Sequence, residues 1–437
     1  MSLEPVDIGL LGLGTVGGGV VHVLARNARE IARRAGREIR LLRAAARDPA
    51  KRRAEYPGLT IDGDPFAVVD DPRVAVVVEL IGGLEPAREL VLRAIANGKH
   101  VVTANKALIA QHGNEIFAAA EARGVTVAFE AAVGGGIPII KAIREGLAAN
   151  HIEWLAGIIN GTTNFVLSRM RERGESFAAA LAEAQALGYA EADPTFDIEG
   201  VDAAHKLTIL ASIAFGVPLR FDRVYTEGVA QITEDDLRYA ETLGYRIKHL
   251  GFARRGPDGV EMRVHPALIP DRCLLANVDG VMNAVLVKAD AVGTTLYYGP
   301  GAGALPTASA VVADLIDVVR SLTTDPTNRV PHLAFQPSAI DDAPALDIDA
   351  VETAYYLRLS AEDRPGVLAA ITQILGAEEI SIEAVIQKEP PAGAARVSVI
   401  LLTHRVREAR MRRALSAIEA LDGVHGPATR IRVETLA

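Results

Sequence analysis

Two periodicities alternate along the first third of the chain. Runs dense in Val, Ile and Leu, "VDIGLLG", "IRLLRAAA", "VAVVVELIGG", "HVVTAN" and "VTVAFEAAVGGG", read as strands. Between them, the stretch to about Gly36 and residues 85–98 and 107–123 repeat apolar positions every three to four residues, as one face of a helix does. This strand–helix rhythm predicts a parallel, doubly wound sheet. From about residue 137 the pattern changes. Helices are expected at 137–148, at 176–188 and through "TILASIAFG", with a strand in "HIEWLAGIIN" followed by "GTTNFVLSRMRERG". "TLGYRIKHLGFARR", "GVEMRVHPALI", "VMNAVLVKAD" and "GTTLYYGPGAG" are strand-rich and predict a mixed or antiparallel sheet. Residues 306–322 form one good helix, expected to return and pack on the first domain.

Residues 323–350 carry many Pro and Asp without periodicity and read as a linker. The last segment, 351–437, reads as β-α-β-β-α-β. The expected division is therefore 1–136 (completed by helix 306–322), 137–305, the linker 323–350 and a final domain 351–437. That tail is expected to be removable, with the rest folding without it.

Composition narrows the class. A chain of 437 residues suggests two or three domains, and 49% hydrophobic residues suit a soluble α/β protein. A net charge of -9 argues against nucleic acid or an anionic membrane as partner. Cys273 is the single cysteine, which fits a reducing cytoplasm. No run approaches the ~20 apolar residues needed to span a bilayer, and the N-terminus does not read as a signal peptide.

Candidate chemistry starts at Gly12, Gly14 and Gly17, a G-x-G-x-x-G between a strand and a helix, where a pyrophosphate can meet the helix N-terminus. A glycine-rich turn without a ligand is the plainer alternative. The second strand ends near Arg47 instead of the Asp or Glu that would hold ribose hydroxyls, with Lys51, Arg52 and Arg53 following. A cation there suits a 2′-phosphate and favours NADP, NAD remaining possible; a solvated basic turn is the alternative. Lys106 follows a strand's carboxyl end, where open α/β sheets bind ligands. Glu130, ahead of a Gly run, could help coordinate a hard cation or belong to an ordinary loop. "DIEGVDAAHKL" (197–207) crowds ionisable groups at the head of an apolar helix. Asp202 and Lys206 stand four apart on one face, as a surface ion pair or as an acid–base lysine with its carboxylate.

The motifs "GLGTVG" (12–17), "TANKALIA" (103–110), "EAAVGGGIPII" (130–140), "INGTTNF" (159–165), "LGYAEADPTFDIEGVDAAHKL" (187–207) and "YGPGAGALPTASAV" (298–311) resemble those of monofunctional homoserine dehydrogenases. "AEDRPGVLAAI" (361–371) resembles an ACT regulatory domain. The resemblance implies a Rossmann-like doubly wound domain, an α+β substrate-binding and dimerisation domain, and a C-terminal ferredoxin-like ACT domain. It implies that Lys206 exchanges a proton with the substrate oxygen, and that Asp202, Glu191, Asp197 and Lys106 attend the substrate. The implied cofactor set is Gly12, Gly14, Thr15, Val16, Gly17, Arg47, Thr103, Lys106, Gly188 and Gly303. Glu130, Val133, Gly135 and Ile137 match a loop for a monovalent cation, Na+ or K+, three of them through backbone carbonyls.

The implied reaction interconverts L-homoserine and L-aspartate 4-semialdehyde with NAD(P), within threonine, methionine and isoleucine biosynthesis. Threonine is the implied feedback ligand, and a homodimer or higher homo-oligomer the implied assembly. Two rivals remain. A thioester-type semialdehyde dehydrogenase would need Cys273 as nucleophile. A catalytically silent cofactor- and amino-acid-sensing protein would have no need of Lys206, Asp202 and Glu191.

Overall fold

Strands β1 (Val6–Leu11), β2 (Ile39–Ala45), β3 (Thr60–Asp62), β4 (Val76–Glu79), β5 (His100–Thr103) and β6 (Val127–Ala128) form one parallel sheet in the order β3-β2-β1-β4-β5-β6. That order reverses beside β1, the switch point at which such sheets bind dinucleotides. These strands come from a computed structural model that describes residues 4–322, 329–387 and 396–436. Residues 1–3, 323–328, 388–395 and 437 lie outside it.

The chain gathers into two units. One comprises Met1–Leu155, His205–Asp222 and Asn283–Ala343; the other comprises Ala156–Ala204, Arg223–Met282 and Pro344–Ala437. In the first, the helix Ala304–Ser321 packs as expected: Ala308, Val311 and Leu315 share a core with Val20, Val23 and Leu24. Three local expectations are corrected. The first helix breaks at Asn27 into Thr15–Arg26 and Ala28–Ala35, asparagine being a weak helix former. The helix expected at 137–148 is only Ile139–Lys141, widening into a π-type turn over Ala142–Gly146. β6 stops after two residues because Glu130 N–H turns away from the ladder to the Asp314 carboxylate.

The second unit's core strands are β9 (Tyr245–Gly256) and β10 (Gly259–Pro270), an antiparallel pair in continuous register. With β9 on one edge, β10 offers only its other edge. There it receives β8 (Tyr225–Thr226) at Arg263 and Val264, and β17 (Thr429–Val433) at Ala267 and Leu268, both parallel. β17 in turn pairs with β13 (Glu352–Glu362), followed by β15 (Arg396–Thr403) and β14 (Ile382–Gln387); a short β16 (Val406–Arg407) also meets β13.

The tail is therefore the expected β-α-β-β-α-β unit, but its sheet has no free face. Tyr355, Leu357, Leu359, Val399 and Leu401 pack under the helices Val367–Ala377 and Glu408–Glu419. The alternate residues Tyr356, Ile400, Leu402, Ile431 and Val433 enter a core with Phe165, Leu237 and Leu268. Asp236, fully buried, accepts from Arg358 Nε at 2.6 Å and from the Tyr356 hydroxyl at 3.1 Å. The expectation of a removable tail is corrected on this point: cutting it away would bare an apolar core and leave Asp236 without these donors. The expected linker is also tied down, with Arg329 donating to Gly124 O, His332 accepting from Val127 N, and Ala345 bridging to Val260.

Candidate functional site

In the first unit, a cavity of about 780 Å³ opens over the glycine motif. Gly12 and Gly14 line it, and Thr15, Val16 and Gly17 make the first turn of the helix behind it. Gly17 is required by contact: a Cβ there would lie 2.0 Å from Gly12 O. Arg47, just past the tip of β2, lines the same cavity together with Lys51 and Arg52 of the helix Pro49–Glu55. Arg52 pairs with Glu55, and Arg53 turns back to donate to Ile61 O at 3.1 Å. Arg47 and Lys51 are thus placed for a phosphate, Arg52 shares the cavity wall with its Glu55 pairing, and Arg53 serves the fold.

Glu79, at the end of β4 and fully buried, was not singled out from sequence. Its carboxylate accepts from Ile81 N at 2.8 Å, Gly82 N at 3.2 Å and Thr103 Oγ1 at 2.6 Å, shaping the loop that forms the cavity's far wall. Thr103 also accepts from Asn105 N. Asn105 caps the helix Lys106–Arg123 by accepting from Leu108 N, and donates to Gly83 O at 2.7 Å. Lys106 is consequently the first residue of a fixed helix.

In the same unit, Glu130 is almost completely buried, and its carboxylate accepts from Ile140 N and Lys141 N at 2.9 and 2.8 Å. Burial, with Asp314 nearby, pushes its pKa up to about 7. A cation at Glu130, Val133, Gly135 and Ile137 would meet the loop's backbone carbonyls beside a carboxylate already engaged by two amides. Among the described residues no cluster of three or more His, Cys, Asp or Glu could hold a metal ion, which leaves carbonyl ligation as the chemistry that fits. Gly303 caps the helix Ala304–Ser321 at φ 124°, exposing that helix's first amides.

In the second unit, Asn160 is the organising residue. Its Oδ1 accepts from Thr163 N at 2.8 Å, capping the helix Gly161–Arg173. Its Nδ2 donates to Asp197 Oδ1 at 2.7 Å and to Asp202 Oδ2 at 2.9 Å. One amide nitrogen thus gathers two carboxylates, an arrangement suited to an ammonium group. Asp202 and His249 are buried, and burial pushes the His249 pKa down to about 4, so its ring is neutral beside them. Glu191 and Gly188 are exposed in the preceding loop, where Gln185 donates to Glu191 O at 3.1 Å. Asn160 lies in a quoted motif yet was not assigned; its signal is an asparagine heading a helix.

Asp202 and Lys206 lie one turn apart on the helix Val201–Phe215, and Lys206 is nine-tenths withdrawn from solvent. Cys273, half-buried, caps a short 3-10 turn, and burial pushes its thiol up. A nucleophilic cysteine needs the opposite shift.

The family profile described as "Homoserine dehydrogenase" matches residues 138–316. The profile of its NAD binding domain matches 12–130, and that of the ACT domain matches 355–423. The chain is 64% identical to a homoserine dehydrogenase of Pseudomonas aeruginosa, over 99% of this chain and 100% of that one. It is 57% identical to one from Neisseria gonorrhoeae over the same shares. A crystal structure of a homoserine dehydrogenase from Thiobacillus denitrificans superposes with a TM-score of 0.95, at 66% identity and 99% coverage of each chain.

Proposed function

The chain belongs to the homoserine dehydrogenase family, and from that premise we propose how its residues divide the work. The enzyme interconverts L-homoserine and L-aspartate 4-semialdehyde with a nicotinamide cofactor, which supplies the hydride chemistry when bound. Asp197 and Asp202, gathered by Asn160, receive the substrate's ammonium group, and Glu191 adds a third carboxylate from its loop. Lys206 gives a proton to the carbonyl oxygen as it is reduced, so that no free alkoxide forms. In the reverse direction it takes that proton back. The observation that carries this reading is Asn160 Nδ2 donating to both carboxylates, one of them a single helical turn before the lysine.

The cofactor lies over Gly12–Gly17, with Thr103, Lys106 and Gly303 around it. It is NADP, its 2′-phosphate met by Arg47 with Lys51 beside it. Glu130, Val133, Gly135 and Ile137 hold Na+ or K+, three of them through backbone carbonyls. Threonine is the effector of the ACT part, the working state is a homo-oligomer and the compartment the cytoplasm. A single unpaired cysteine and an overall negative charge support the last. By role, 1–136 with helix 306–322 serves the cofactor, 137–305 the substrate and 351–437 regulation, with 323–350 joining them.

The test is NADPH oxidation with aspartate semialdehyde, with and without threonine, by wild type and Lys206→Ala. Turnover should fall by roughly 10²–10⁴-fold in the variant, the usual worth of a positioned acid–base group, while NADPH still binds. Turnover within a few-fold of wild type would remove Lys206 from the proton transfer.

A further inference from the structure

Resting on the substrate assignment above, we propose that Glu227 is a positioning residue for the Asp197–Asp202 carboxylates and that Arg432, in the tail's last strand, holds it in place. No motif marked either residue. They meet because β8 and β17 share one edge of β10, which brings Glu227 to Arg432 Nη1 at 2.7 Å.

Arg432 has no exposed surface. Its guanidinium also donates to Glu408 at 2.8 and 3.1 Å, and Tyr355 O–H donates to the same carboxylate at 2.6 Å. Tyr225 O–H donates to Glu227 at 2.9 Å, and Arg430 joins both glutamates. Two arginines and two glutamates thus balance within the unit. A buried guanidinium keeps such a geometry because every alternative leaves a charge unpaired.

From Glu227 the contacts run to the substrate turn. Glu227 N donates to Val264 O at 2.8 Å, fixing the residue on β10. Glu227 O accepts from His249 Nε2 at 3.1 Å, and the His249 ring lies against Gly200, where a Cβ would stand 3.1 Å from Cε1. Gly228 presses on the turn so closely that a Cβ would lie 2.9 Å from Ile198 O and from a Glu199 carboxylate oxygen. Val229 N donates to Ile198 O at 3.1 Å. Residues 198, 199 and 200, which separate Asp197 from the helix of Asp202, therefore all lean on 227–229 and His249. A displaced Glu227 moves the surface against which that turn is set.

Steady-state kinetics of the full-length enzyme, with homoserine and cofactor each varied, test this. Glu227→Gln and Arg432→Lys should each raise the homoserine KM roughly tenfold, about 1.4 kcal/mol, with cofactor KM within about twofold. The double variant should be no worse than the poorer single one, because both act on one contact. Loss of folded protein alone would lower kcat without moving KM. An unmoved homoserine KM in folded Glu227→Gln and Arg432→Lys would overturn the proposal, as would an equal rise in cofactor KM. If Glu227→Gln does not fold, Tyr225→Phe, which removes one donor from the same carboxylate, should give a smaller rise of the same kind; no rise would overturn the proposal. A wild-type enzyme inert toward homoserine would instead overturn the assignment on which it rests.

Discussion

Gln111 Nε2 stands 3.0 Å from His205 Nε2, tying the helix that begins at Lys106 to the helix that carries Lys206. The joint continues past the end of that second helix: Asn114 accepts from Leu219 N and donates to Leu219 O, at 3.1 and 3.0 Å. His205 also stacks on Phe221, ring centroids 4.2 Å apart. Gln111→Leu should therefore lower kcat roughly ten- to a hundredfold, the cost of a misplaced catalytic group, with cofactor affinity kept. Steady-state kinetics and an NADPH titration check it; an unchanged kcat would leave the contact a matter of stability alone.

Asn160→Ala removes the one nitrogen shared by Asp197 and Asp202. Hydrogen bonds to charged groups contribute about 1.5–3 kcal/mol, so the homoserine KM should rise roughly ten- to a hundredfold. Asn160→Asp should be worse, since it sets a third carboxylate against two. A homoserine KM equal to wild type in either variant would separate these acids from substrate binding.

The cavity wall at Arg47 and Lys51 governs cofactor choice. Arg47→Ala should weaken NADP at least tenfold more than NAD, because a guanidinium meets a phosphate with two parallel donors. Paired dissociation constants decide it, and equal losses would make the arginine structural.

Acid should destabilise the fold through buried histidines, His100 and His249 along with His265 and His332. His100 Nδ1 accepts from Thr126 N at 3.0 Å, an acceptor role that protonation abolishes. Burial pushes His100 and His249 down to about 4 from 6.5. Below 6.5 the unfolded chain binds more protons than the native one. Their contribution is thus complete above pH 6.5 and lost as pH falls toward 4, at about 1.4 kcal/mol per unit for each residue. His100→Gln, which keeps an acceptor but does not titrate, should flatten the fall in denaturant midpoint between pH 7 and 5.

What the residue pattern revealed depended on whether the cause was local. The glycine motif, the β-α-β-β-α-β tail and the acid-rich start of the Lys206 helix announce themselves within a few residues. β3, between the short helices Pro49–Glu55 and Pro65–Val69, is too brief to show a period. Glu79, Asn160 and Glu227 were passed over because their importance lies in partners distant in sequence, which spacing cannot display. The run "VSVILLT" did carry a clue to the missing free face of the tail: continuous apolarity, where alternation marks a strand with one side in water.

The pairing of β17 with β10 also bears on how the protein is made. A ribosome finishes β10 long before it reaches residues 429–433, and until then β8 is the only strand of this unit on that edge. Arg263, buried in β10 and paired with Glu434 in the finished fold, must wait as well. A chain released early therefore offers an open strand edge and an arginine without its closest carboxylate, the kind of surface on which polypeptides aggregate. Surveillance by chaperones and proteases would meet nonsense fragments of this enzyme as misfolded proteins, never as smaller working ones.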